Sequence, residues 1–131
     1  LYRGKEFVVM TTILLVEDDK NQRLLYEQEL KHDGYDVVTA SDGKEALEKV
    51  QKQLPDIVIM DINMPKMDGI EAMGRILSKN KAIPVIINTA YTNYKDSFMS
   101  WVADAYVVKS SELSELKGKI KEVLANKAKD S

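Results

Sequence analysis

Cysteine is absent from this chain, so neither a disulfide framework nor a thiolate metal site is available to it. Histidine occurs once, as His32, which excludes a metal site built on several imidazoles. No apolar run approaches the roughly 20 residues that a membrane-spanning helix needs, and no secretory leader pattern is recognisable. Charge of one sign is not in excess either. The formal net charge is -2, which gives no basic footprint for nucleic acid. Internal repeats, low-complexity stretches and long linkers are missing as well. What is present is ordinary: 131 residues, 44% hydrophobic and 31% charged, enough for one domain with a buried core. These features together predict a soluble, cytoplasmic protein with no membrane insertion and no direct nucleic-acid binding.

Leu1 to Val9 fit no element, and Met10 is followed directly by a strand-like run. We therefore expect residues 1–10 to be a tag or disordered arm, 11–128 to be the folded domain, and 129–131 to be a tail.

Along that domain, apolar runs and helical patterns alternate. Ile13 to Val16 is a continuous apolar run closed by Glu17, Asp18 and Asp19, which predicts a strand buried on both faces. Asn21 to Lys31 carries Leu24, Leu25 and Leu30 at amphipathic helical spacing, and Asp33-Gly34 is a stop signal. Tyr35 to Thr39 is a less apolar second strand, suited to an edge. Ser41-Asp42-Gly43 precedes a helix with Ala46, Leu47, Val50 and Leu54 on one face, ended by Pro55. Ile57 to Met60 is a third strand ending at Asp61. Asp68-Gly69 opens a helix carrying Ile70, Met73 and Leu77. Pro84 to Ile87 is a fourth strand, and Tyr94, Phe98, Trp101 and Val102 mark a fourth helix. Ala105 to Val108 is the fifth strand. Leu113, Leu116, Ile120, Val123 and Leu124 then fall three or four apart in a last helix, with Ser110 or Ser111 as its cap. Strict alternation of strand and helix predicts right-handed crossovers and a doubly wound α/β fold, a parallel sheet with helices on both faces.

In such a sheet, ligands bind beyond the carboxyl ends of the strands. Chemistry-bearing residues sit at those ends: Glu17, Asp18 and Asp19 after the first strand, and Asp61 with Asn63 after the third. Asn88 and Thr89 follow the fourth and Lys109 the fifth. Clustered carboxylates raise one another's pKa, and a cation relieves this. Oxygen ligands without His or Cys favour a hard ion, magnesium first. A carboxylate can attack phosphorus to give an aspartyl phosphate. An ammonium and a hydroxyl nearby would stabilise charge on the transferring group.

The chain resembles the receiver domain of bacterial two-component response regulators, and is similar to the single-domain chemotaxis-type receivers. The resemblance runs from Thr11 to about Leu124. It is carried by Leu15-Val16-Glu17-Asp18-Asp19, by Ile59 to Gly69 with its Asp61-Ile62-Asn63-Met64-Pro65 core, by Asn88-Thr89-Ala90, and by Tyr106-Val107-Val108-Lys109. The resemblance implies a flavodoxin-like (βα)5 fold with five parallel strands in the order 2-1-3-4-5. It implies that Asp61 is the phosphoacceptor. Magnesium, with manganese as a substitute, would be held by Asp18, Asp61 and the Asn63 main-chain carbonyl, with Glu17 reaching it through water. Thr89 and Tyr106 would be the switch pair, and Lys109 the lysine that pairs with the phosphoryl group. The implied partners are a sensor histidine kinase or phosphotransfer protein and an unknown downstream protein. The implied response is a change in the surface of the fourth helix, fifth strand and last helix. The implied assembly is a monomer or a weak phosphorylation-linked dimer. Such a domain is no enzyme of external substrates, though it assists its own phosphoryl transfer and dephosphorylation.

Two positions depart from the family pattern. Ser110 stands where proline usually follows the lysine. A cis bond before a non-proline residue costs about 2.5–4 kcal/mol, so we expect a trans Lys109–Ser110 bond or a strained cis one. Val102-Ala103 stands where glycine is common. Two other function classes fit a sheet of this kind less well. A phosphatase with an aspartyl nucleophile commonly wants a second acid where this chain has Asn63. A docking module that is never phosphorylated would not need the full acidic set.

Overall fold

The computed structural model describes residues 2–3, 6–7, 10–62, 71, 74–76, 78, 82–90, 103–110 and 112–130. Five strands form one sheet: β1 (Thr12–Val16), β2 (Asp36–Ala40), β3 (Ile57–Met60), β4 (Val85–Thr89) and β5 (Ala105–Val108). Their order is β2-β1-β3-β4-β5 and every neighbouring pair is parallel. The doubly wound 2-1-3-4-5 order expected from the resemblance is the observed one, and β2 is an edge strand as its weaker apolar run predicted. Predicted and observed strands differ at their ends by two residues at most. The largest difference is β4, which runs on through Asn88 and Thr89. At the amino terminus, where no element was expected, Tyr2–Arg3 pairs antiparallel with Glu6–Phe7.

Period-two alternation sends each strand's side chains to two separate cores. Leu14, Val16, Val58, Met60, Val85 and Ile87 pack on one face with Ala46, Val50 and Ile76. Ile13, Leu15, Ile57, Ile59 and Ile86 pack on the other with Tyr26, Leu30, Leu116 and Ile120. Burying each large aliphatic side chain contributes about 1.5–3 kcal/mol, so the continuous apolar runs account for a strand covered on both sides. At the amino ends of the strands, Asp56 and Asp104 accept hydrogen bonds from the N–H groups of Thr12 and Val85, both at 2.8 Å.

The helices differ from expectation in instructive ways. Helix α1 (Lys20–His32) is capped by Asp19, whose carboxylate accepts from the Gln22 N–H at 2.9 Å. It buries Tyr26 and Leu30, whereas Leu24 and Leu25 are half exposed at 50% and 48%. The amphipathic helix expected over Asn21 to Lys31 is observed, with Leu30 but not Leu24 or Leu25 on its buried face. The buried stripe follows Tyr26 and Leu30 because they stand four residues apart, and Leu24 and Leu25 turn away from it. Helix α2 (Gly43–Lys52) stops before Leu54, which is 60% exposed and does not continue the Ala46–Val50 stripe. Asp42 caps α2 by accepting from Glu45 N–H at 2.8 Å, while the Glu45 carboxylate accepts from Ser41 N–H at 2.6 Å. Such reciprocal bonding satisfies N–H groups that a helix start leaves unpaired.

Residues 71, 74–76 and 78 are helical where the third helix was predicted, and Ile76 is buried. Ile70, Met73 and Leu77, and the whole predicted fourth helix, lie outside the described residues. The C-terminal helix (Ser114–Asp130) buries Leu116, Ile120 and Val123, with Leu113 and Leu124 partly buried beside them. Of the two caps expected, Ser110 does not cap the helix. The Ser110 hydroxyl accepts from Glu112 N–H at 3.1 Å, closing a turn ahead of the helix, and Lys117 N–H bonds to Leu113 C=O. Ser111 lies outside the described residues. Lys117 of this helix reaches Glu29 on α1 at 3.3 Å and Asp33, the C-cap of α1, at 3.4 Å. Lys127 also donates to the Ala82 carbonyl.

Candidate functional site

Strand register assembles the site. Val16 pairs with Met60, so the next residues, Glu17 and Asp61, emerge side by side. Thr89 pairs with Val108, so Lys109 follows one position beyond. Three backbone hydrogen bonds extend the sheet to this rim: Glu17 N–H to Ala40 C=O at 3.0 Å, Asp61 N–H to Val16 C=O at 3.1 Å, and Lys109 N–H to Thr89 C=O at 2.7 Å. Of the polar residues predicted at the strand ends, Glu17, Asp18, Asp61 and Lys109 converge.

Lys109 Nζ lies 2.6 Å from Glu17 Oε1 and 2.7 Å from Asp61 Oδ2. Its side chain is only 14% exposed, and those of Glu17 and Asp61 only 2% and 8%. The Lys109–Ser110 bond is trans, so the lysine reaches the rim without the proline that usually follows it. Burial by itself disfavours the ammonium. The hydrogen bonds to Asp61 and Glu17 and their charges outweigh that, holding the Lys109 pKa above the usual lysine value. Burial pushes the Glu17 carboxyl above its ordinary value. Lys109 and the Asp19 N–H pull it down without cancelling the rise, and the Asp61 charge adds to it. One ammonium thus serves two buried carboxylates, with the exposed Asp18 beside them.

Carboxylate oxygens of Glu17, Asp18 and Asp61 all lie within 4.8 Å of one another. An octahedral magnesium ion with oxygens at ~2.05 Å sets its ligands about 2.9–4.1 Å apart, so this all-oxygen cluster fits a hard divalent cation. Glu17 is engaged through both oxygens, by Lys109 at Oε1 and by the Asp19 N–H, 3.1 Å away, at Oε2. That favours a Glu17 that acts on an ion through water over direct ligation. Asn63 lies outside the described residues.

Thr89 is fully buried at the end of β4. Tyr106, paired with Ile87 in register, is buried in the apolar cluster with Met60 and Ile62, so its ring already points inward. Asn88 is buried within β4, and Asp19 is the α1 cap. His32 is exposed in the last turn of α1, away from the rim. One residue escaped the sequence reading. Arg23 Nη1 donates to the main-chain carbonyls of Glu17 at 2.8 Å and Asp18 at 3.3 Å. The only hint was its place four residues after the cap Asp19, within reach of the loop.

Comparison with known proteins gives a consistent picture. A family model described as the response regulator receiver domain matches residues 13–121. The chain is 34% identical over 114 residues to the alkaline phosphatase synthesis transcriptional regulatory protein PhoP of Bacillus subtilis, covering 86% of this chain and 48% of PhoP. It is 42% identical over 120 residues to the probable transcriptional regulator ycf27 of Guillardia theta, covering 88% and 47%. The chain thus spans about half the length of these curated relatives. Among solved structures, it is similar to the response regulator protein TrrA of Thermotoga maritima in complex with Mg2+–BeF. That match has 45% identity and a TM-score of 0.82, covering 87% of this chain and 99% of TrrA. TrrA has also been solved in complex with the histidine kinase ThkA, matching at a TM-score of 0.81 over 88% and 99% of the two chains.

Proposed function

The chain belongs to the response regulator receiver-domain family, and from that premise we propose that it is a phosphorylation-controlled signalling switch with Asp61 as its phosphoacceptor. The observation that carries this reading is the buried pairing of Lys109 with Asp61, at 2.7 Å, on a rim that also holds Glu17 and Asp18. Residues 11–128 are the receiver unit in this reading.

The phosphoryl donor is a phosphohistidine on a histidine kinase or phosphotransfer protein; the kinase complex of TrrA supports that class of partner. An Asp61 carboxylate oxygen attacks phosphorus in line. The new O–P bond forms as the P–N bond to the donor imidazole breaks, and the imidazole keeps the electron pair and takes up a proton. Magnesium, held by Asp18, Asp61 and the Asn63 carbonyl, would supply positive charge against the phosphoryl oxygens; the Mg2+–BeF complex of TrrA supports that ion, and manganese is a proposed substitute. Lys109 exchanges its hold on the Asp61 carboxylate for a hold on the phosphoryl group, and the Thr89 hydroxyl donates to a phosphoryl oxygen. Hydrolysis of the acyl phosphate by water returns the domain to its starting state.

The added group carries about -1.5 to -2 charges if it behaves like other phosphorylated side chains. Its pull on Lys109 and Thr89 favours one of two pre-existing states. Because Tyr106 is already buried here, phosphorylation would hold that inward position rather than create it. The surface of the predicted fourth helix, β5 and the C-terminal helix then regulates a downstream protein, as a monomer or in a weak phosphorylation-linked dimer.

Intact-protein mass spectrometry after incubation with acetyl phosphate tests this reading. The expected result is one added phosphoryl group that requires magnesium and is lost in Asp61→Ala. No gain in a folded, magnesium-bound wild-type protein would reject Asp61 as acceptor.

A further inference from the structure

We infer that Arg23 is a positioning residue of this site: its guanidinium fixes the backbone on both sides of Asp18 and so aims the Asp18 carboxylate. This inference rests on the reading of Asp18 as a magnesium ligand.

The geometry is local. Arg23 stands on the first turns of α1, with its own N–H bonded to Asp19 C=O at 2.9 Å. Side chains on a helix lean toward its amino end, so the arginine extends back over the loop that links β1 to α1. Nη1 there donates to the Glu17 carbonyl at 2.8 Å and the Asp18 carbonyl at 3.3 Å. The first carbonyl belongs to the peptide unit before the Asp18 Cα, and the second to the unit after it. Two planar peptide units leave the residue between them with two soft torsions. Holding both units with one nitrogen restricts both torsions.

Asp18 needs that constraint more than its neighbours do. Glu17 is held by Lys109 and the Asp19 N–H, and Asp61 by Lys109. Asp19 is held by its cap to Gln22. The Asp18 carboxylate is exposed and accepts no hydrogen bond from any of the described residues, so of the three acids it is the one whose placement rests on the backbone that sets its Cα–Cβ bond. Hydrogen bonds to charged donors are among the stronger ones; the short bond to the Glu17 carbonyl is partly buried, which limits competition from water, and the longer one to the Asp18 carbonyl is exposed.

Groups that orient metal ligands typically affect metal affinity by 10–100-fold when removed. The test is magnesium titration by calorimetry of the wild-type chain, Arg23→Met and Arg23→Lys. Each protein is also assayed for phosphoryl uptake from acetyl phosphate across a range of magnesium. Methionine keeps an unbranched stem and removes the donors. We expect Arg23→Met to bind magnesium at least tenfold more weakly, and its uptake to recover at saturating magnesium. Arg23→Lys keeps a charged nitrogen donor on a shorter stem that falls short of the two carbonyls, and should regain only part of the affinity. A purely structural arginine would lower thermal stability in Arg23→Met and leave its magnesium affinity unchanged, which would overturn the inference. Full recovery in Arg23→Lys would overturn it too, since the longer reach of the guanidinium to both carbonyls would then be immaterial. If Arg23→Met does not fold, the lysine variant decides between these outcomes by itself. A wild-type protein that binds magnesium but takes up no phosphoryl group would sink the phosphoacceptor reading and leave this one to the titration. A wild-type protein that binds no magnesium would sink both.

Discussion

Glu17 illustrates how a site residue can work against the fold that carries it. The Glu17 side chain is 2% exposed, and burial raises its pKa from an ordinary 4.5. A raised folded-state pKa means that folding favours the neutral acid. The contribution is fully present below the unfolded value and is lost as pH rises through the folded one. Glu17→Gln keeps an acceptor for the Asp19 N–H and has no charge to lose. We therefore expect the melting temperature of Glu17→Gln, relative to wild type in magnesium-free buffer, to rise between pH 4 and pH 7. A difference that stays flat or falls, measured by thermal unfolding across that range, would contradict the burial argument. Lys109 has the opposite consequence. Its raised pKa stabilises the fold at all lower pH values, and that stability is lost only as pH climbs past 10.5 and through the folded value.

At the scale of elements, α1 separates packing from surface within one turn. Leu30 is 1% exposed among Ile13, Leu15 and Ile120, whereas Leu24 is half exposed. Large-to-small changes in a core typically cost about 2–5 kcal/mol, and surface changes stay within about 0.5 kcal/mol. Urea unfolding should therefore show Leu30→Ala losing about 2–5 kcal/mol and Leu24→Ala losing almost nothing. Equal losses would mean that the helix face has been misassigned. Apolar spacing alone does not separate these leucines, because Leu24, Leu25 and Leu30 all fit a helical pattern. The deciding partner is Tyr26, which joins Leu30 on the buried stripe.

For the whole molecule, the site exists because four crossovers bring three strand ends to one rim. The acids gathered there repel, so a bound cation stabilises the folded chain but not the unfolded one, where the acids are far apart. Ligand linkage gives about 2.7 kcal/mol at a concentration one hundred times the dissociation constant. For a domain of this size that is roughly a 10 °C rise in melting temperature. We expect magnesium to produce a rise of this order in wild type and a much smaller one in Asp18→Ala. Equal shifts in the two proteins would remove Asp18 from the cation site.

The sequence alone determined the class of fold, because short apolar runs rich in β-branched residues read as strands covered on both faces, and their alternation with helical stripes points to a parallel sheet. It also determined which residues stand at the strand ends: Glu17, Asp18, Asp61, Thr89 and Lys109 are where the pattern put them. Strand order was legible only through resemblance, since no local pattern encodes which strand lies beside which. Tertiary structure alone decided the rest. Whether Lys109 reaches Asp61 without a following proline depends on β5 pairing with β4, a contact between residues 20 apart in sequence (Thr89 and Lys109). That Arg23 holds the acidic loop, and that Ser110 closes a turn instead of capping a helix, depend on side-chain directions that spacing does not specify. Periodicity encodes which face of an element is apolar; the distances between charged groups on different elements arise only when the sheet sets their register.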